Sequence, residues 1–137
     1  MKSIWVSIQL GFATIGGFLG WFLGGFDGFL YALVAFVVLD YITGIMCAVL
    51  DKSLSSEIGF RGLFQKVLIF SLVGIGHIID QSVIGDGSVI RTAVIFFYLS
   101  NEGVSVLENA AYIGLPIPQK LKDVLEQLHP RDDKEEK

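Results

Sequence analysis

Residues 90–121 read IRTAVIFFYLSNEGVSVLENAAYIGLPIPQKL, and the fold turns on how this stretch is interpreted. It begins as an apolar run long enough to enter a bilayer, yet carries Asn101, Glu102, Ser105, Glu108 and Asn109 within a few turns. On a helix, Arg91, Tyr98, Glu102, Ser105 and Asn109 share one side, because steps of seven, four, three and four return to the same face. A charge at the centre of a bilayer costs about 2.5–3.5 kcal/mol even on lenient insertion scales. Such a stripe must meet protein or water, and the rest of the chain has to supply one of them.

The composition points the same way. Of 137 residues, 53% are hydrophobic, mean hydropathy is +0.64, and the apolar residues come in blocks. An all-α, polytopic integral membrane protein is expected, with three to four transmembrane helices and a short C-terminal amphipathic helix. The blocks are about 4–24, 29–50, 67–84 and 89–113, so residues 1–118 read as the membrane domain and 119–137 as a charged cytoplasmic tail. The first block follows Met1-Lys2 but lacks a small-x-small cleavage site before a polar region, so it reads as retained rather than as a cleaved signal.

Within the first block Gly16, Gly20 and Gly24 recur every fourth residue, which in lipid permits close helix packing. A frayed or interfacial segment is the alternative. The second block places Asp40 at its centre, with Thr43, Gly44 and Cys47 on the same face. Cys47, the single cysteine, reads as a small packing residue. Residues 51–66 mix bases with apolar side chains, suiting either a segment in the headgroup layer or a plain loop. The third block carries His77 and Asp80, helix neighbours able to pair; no evident third and fourth donor makes them a metal site. Leu115-Pro116-Ile117-Pro118 ends the fourth block. Leu121, Val124, Leu125 and Leu128 then mark an amphipathic helix before the charged ending HPRDDKEEK.

Four spans with both termini inside place nine of the ten lysines and arginines on the cytoplasmic side, leaving Arg91 outside. If the glycine-rich first block lies on the surface, three spans remain and the N-terminus moves outside. No basic cluster interleaved with aromatics indicates nucleic acid. No nucleophile–base motif indicates an enzyme, and nothing calls for a cofactor or a metal. From physics alone, Asp40, His77, Asp80, Arg91, Asn101, Glu102 and Glu108 either line an ion or proton pathway, as in a small oligomeric channel or transporter, or hold helices together. A chain this short is expected to act through self-association.

The stretches LDYITGIMCAVLDKSLSSEIGFRGLFQKV (39–67) and IRTAVIFFYLSNEGVSVLENAAYIGLPIPQKLKDVLEQL (90–128) resemble the phage lysis and toxin-secretion holins, a family that includes the clostridial toxin-release holin. The resemblance rests on an ordered set: Asp40 with Thr43-Gly44, Ser55-Ser56, Gly59, Arg61-Gly62, Arg91-Thr92, Asn101-Glu102-Gly103, Leu107-Glu108-Asn109 and the exit Gly114…Pro116. It implies a small protein of the bacterial cytoplasmic membrane that homo-oligomerises into lesions. These depolarise the membrane and release a cytoplasmic endolysin or a large toxin, with an antiholin as a possible regulator. Asp40 and the Glu102 stripe, including Ser105 and Asn109, are then the candidates for helix packing or pore lining. Members of the family are often drawn with three spans.

Overall fold

The computed structural model describes residues 1–128; the charged ending from His129 lies outside the described residues. The order is α1 (Lys2–Leu23), α2 (Gly28–Leu50), α3 (Ser56–Ile78, continued by a π-helical turn Ile79–Ile84), α4 (Val89–Ile113) and α5 (Gln119–Leu128). The fold is all-α, as the blocks predict. The first four helices run up and down: Arg91 at the start of α4 meets Asp27 at the start of α2, and Tyr112 near the end of α4 bonds Asp51 just after α2.

Local chemistry sets the ends. Gly24 stops α1 in the left-handed conformation, φ 84°, which glycine adopts without a Cβ penalty. Asp27 caps α2, its Oδ1 accepting from the Leu30 N–H at 2.9 Å. Ser55 caps α3 by accepting from the Ile58 N–H at 3.2 Å, with Glu57 in the first turn. That cap changes the expected picture of residues 51–66. Everything from Ser56 on is helix rather than loop, and α3 is much longer than the apolar block from Val67 alone. Gly114, φ 105°, ends α4; the Leu115 N–H returns to the Ala110 carbonyl at 3.0 Å, and α5 follows the proline link.

Three helices are long and apolar enough to cross a membrane: Lys2–Leu23, Gly28–Leu50 and Ser56–Ile84. Of the two helices outside this set, α4 has the length, 25 residues, but carries Arg91, Asn101, Glu102 and Glu108. The glycine-rich first block, expected as the weaker candidate, meets the requirement. The core is small: Leu23, Leu30, Leu33, Val37, Ile69, Val73 and Ile95, with Phe22, Phe70, Val94, Tyr98 and Leu99 against it. Large apolar side chains such as Trp5, Phe12, Trp21, Tyr31, Phe64 and Leu68 point outward. In water such a surface would aggregate; around a bundle with charges inside, it is the surface lipid solvates.

Packing is uneven. α2 and α4 lie against each other along their lengths, with Phe29 and Phe96 ring centroids 5.1 Å apart. α1 rests on α3 mainly near its C-terminal end, where Phe22 presses on Gly74 so closely that a Cβ there would sit 2.2 Å from the ring.

Candidate functional site

Buried polar groups gather in two places. The first lies near the middle of α2, α3 and α4. The Lys66 ammonium on α3 donates to Glu102 Oε2 on α4 at 2.8 Å and to Asp40 Oδ2 on α2. Asn109 on α4 extends the network, its Nδ2 donating to Thr43 Oγ1 at 2.9 Å and to Asp40 Oδ1 at 3.3 Å. Thr43 in turn donates to the Leu39 carbonyl at 2.7 Å. The side chains of Lys66, Asp40 and Glu102 are 15%, 11% and 8% exposed. Two acidic side chains therefore share one ammonium where three helices meet.

Beside this cluster runs a groove of about 230 Å³, lined by Asp40, Tyr41, Gly44, Gly62, Lys66 and Ser105. Tyr41 crosses it, donating to the Gly59 carbonyl at 3.1 Å and lying against Gly62, where a Cβ would be 3.2 Å from its ring. Glycine at 62 is what lets the ring lie this close to the α3 backbone. Asn101, one step round α4, keeps its Oδ1 buried with no partner among the described residues.

The second place is the end where α1 stops and α2 and α4 begin. Arg91, nearly buried, donates Nε to the Leu23 carbonyl at 2.6 Å, Nη2 to the Gly25 carbonyl at 2.9 Å and Nη1 to Asp27 Oδ2 at 2.8 Å. A guanidinium at the carbonyl end of α1 satisfies groups the helix leaves open and complements its dipole. Asp80, buried in the π turn, accepts the backbone N–H groups of Ile90 and Arg91 at 3.0 and 2.9 Å, capping α4 from a neighbouring helix. Gly76 makes room: a Cβ there would meet Arg91 Cα at 3.1 Å. The Arg91 guanidinium beside Asp27, in the turn outside the helices, holds that carboxyl below the usual carboxylate range.

The expected stripe on α4 is thus divided among different partners. Arg91 serves the end clamp, Glu102 meets Lys66, Asn109 meets Asp40 and Thr43, and Ser105 lines the groove. His77 and Asp80 do not pair. His77 packs beside Gly24, and Asp80 is occupied by the α4 backbone. Among the described residues no three His, Cys, Asp or Glu side chains form a metal-sized group. Glu108 is exposed and lines a different cleft, between the end of α4 and α5. Gly44 faces Asn109, with 3.9 Å from a built Cβ to its Nδ2. Of the α1 glycines, Gly20 packs on Phe26 and Gly24 sits under His77 and Arg91, whereas Gly16 has nothing within 4 Å and touches no other helix of this chain. Asp27 and Lys66 escaped the sequence reading. Residues 51–66, expected as a headgroup segment or a loop, left Lys66 outside the bundle until the Ser55 cap placed it inside α3.

A family model for the bacteriophage holin family matches residues 17–130. The chain is 38% identical over 129 residues to an uncharacterized 14.9 kDa protein of the nagH 3′ region of Clostridium perfringens, covering 94% of this chain and 98% of that one. It is 39% identical over 120 residues to the uncharacterized protein Lmo0128 of Listeria monocytogenes, covering 88% and 85%. The uncharacterized protein YqxH of Bacillus subtilis is 31% identical over 122 residues, 89% and 86%. No solved structure matches the chain.

Proposed function

The chain belongs to the bacteriophage holin family, and from that premise we propose that it accumulates in a bacterial cytoplasmic membrane and assembles with copies of itself into lesions. These depolarise the membrane and give a cytoplasmic endolysin, or a large toxin, access to the wall. In this reading all four long helices span, both termini face the cytoplasm, and α5 lies along the inner headgroup layer with Leu121 and Val124 toward the acyl chains. The Arg91 end is then the outer end, and the basic side chains of the 51–66 segment sit at the inner one.

The observation that carries the proposal is the Asp40–Lys66–Glu102 cluster. An apolar bundle that wraps its charges is compatible with lipid on every side. Rotation of α2, α3 and α4 in a ring of subunits turns the same charges toward a water-filled lumen without putting any of them in lipid. A protein with two such arrangements can accumulate in one and act in the other.

The test is inducible expression in bacteria while following membrane potential, viability and escape of a large cytoplasmic enzyme, for the native chain and for D40N and E102Q. The proposal expects sudden depolarisation with protein leakage, at times that the two substitutions alter. Ion flux without protein leakage would instead place the chain among small channels. Unchanged timing in both variants would remove the two acids from the mechanism.

A further inference from the structure

We infer that Lys66 is the pin that keeps this bundle in its sheltered arrangement, and that the two carboxylates it serves set how long that arrangement lasts. The inference rests on the lesion-forming reading above, but it concerns a side chain that reading does not need. Three observations carry it.

First, Lys66 alone of the described side chains joins α2, α3 and α4 through charged contacts, reaching Asp40 on one neighbour and Glu102 on the other. Second, it stands where the apolar packing of α3 is thinnest. Buried apolar residues of α3 begin at Ile69, so the half of the helix before Lys66 contributes none to the core. Towards α2 that half leaves the open groove, bridged by Tyr41 on Gly59 and Gly62. Between helices in lipid there is no hydrophobic drive to close such a gap, so polar contacts and close packing have to hold it. Third, the pin is overcommitted. One ammonium on a flexible stem, with two acids to satisfy, is a weaker tie than the forked guanidinium at the other end of the bundle.

The consequence is directional. When Lys66 leaves, both acids lose their cation together, and they are relieved by reaching water or by taking up a proton. The first half of α3 is then free to swing from the α2–α4 pair while its far end stays held by Val73, Gly76 and the Asp80 cap. This movement opens the groove containing Ser105.

The experiment uses the full chain in native membranes with two independent readouts. Ser105→Cys in a Cys47→Ser background reports groove opening through its rate of reaction with a water-borne maleimide, applied to open membrane sheets before any depolarisation. Depolarisation time after induction is the second readout. K66Q is expected to raise the labelling rate and shorten the delay about tenfold or more, the order expected when a sheltered ion pair is broken. K66R keeps the charge and is expected to keep most of the delay. The neutral triple variant D40N/K66Q/E102Q, which leaves no stranded acid, is expected to return labelling towards the native rate. Equal labelling for the native chain and K66Q overturns the inference, as does a triple variant that labels as fast as K66Q. If K66Q does not accumulate, D40N/K66Q, which strands Glu102 alone, replaces it: labelling faster than in the triple variant supports the pin, and labelling no faster overturns it. A native chain that never depolarises cells defeats the lesion reading instead, while the labelling result stands by itself.

Discussion

Replacing Arg91 by Gln is expected to loosen its end of the bundle more than any other single change there. The side chain is 4% exposed and makes charged hydrogen bonds to the Leu23 carbonyl, the Gly25 carbonyl and Asp27. Hydrogen bonds to a charged group are worth about 1.5–3 kcal/mol each at face value. Water near the end of the bundle can replace part of what the two carbonyls lose. Asp27 is 46% exposed, so its own share is that of a surface pair, at most about 1 kcal/mol. The sum settles near 3 kcal/mol, the low end for breaking a buried pair. D27N isolates the surface share, because asparagine still caps α2, and should cost no more than about 1 kcal/mol. R91K should fall between, since a compact ammonium lacks the planar fork that reaches these separated acceptors at once. Unfolding of the purified protein in mixed micelles, followed by circular dichroism, measures all three, and amide exchange at 24–30 reports the local change. If R91Q costs no more than D27N, the carbonyl contacts contribute nothing and the clamp is only an exposed ion pair.

Two further outcomes follow from the same geometry. Gly74→Val should push Phe22 off α3, since even a Cβ would lie 2.2 Å from the ring; a loss of about 1–3 kcal/mol, with a shift in Trp21 fluorescence, is expected, and an unchanged spectrum would contradict the packing of α1 on α3. The Asp27 carboxyl is held below its ordinary range by Arg91, so its contribution is present above that range and disappears as pH falls through the lowered value. The stability difference between the native chain and D27N should therefore be constant near neutrality and vanish in strong acid; a difference that persists there would mean that the charge on Asp27 is not what is lost.

Much of the fold was legible because lipid imposes simple rules on composition. Blocks of apolar residues gave four long helices, and Gly114 with the proline link gave the end of the last one. The polar positions were legible as a set but not as pairs. Helical periodicity puts Arg91, Glu102 and Asn109 on one face, and they do look toward the other helices, but periodicity carries no information about which helix supplies each partner. Lys66 was misplaced because a hydropathy block starts where charge stops, whereas a helix starts where its first N–H groups are capped. Ser55 capping at Ile58 was the available signal, and it moves the lysine to mid-helix. The pairing of His77 with Asp80 failed for a related reason. A buried acid near a helix start is better used by two backbone N–H groups than by an imidazole, and Ile90 and Arg91 claim it.

The two polar clusters differ in a way that bears on how such a bundle rearranges. At the Arg91 end, donors and acceptors are matched: the guanidinium meets carbonyls and Asp27, Asp80 meets two N–H groups, and glycines let the backbones close in. Moving that end breaks several bonds at once. At the middle, two acids share one cation, the groove is open and the tie is one flexible side chain. A perturbation shared by both clusters is therefore relieved first at the middle, with the Arg91 end as the pivot. Motion of that kind swings the first half of α3 from the α2–α4 pair while the Arg91 end stays together. Polar surface is then exposed first toward the side where the basic residues of the 51–66 segment lie. The Arg91 clamp is then the last contact of the bundle to yield.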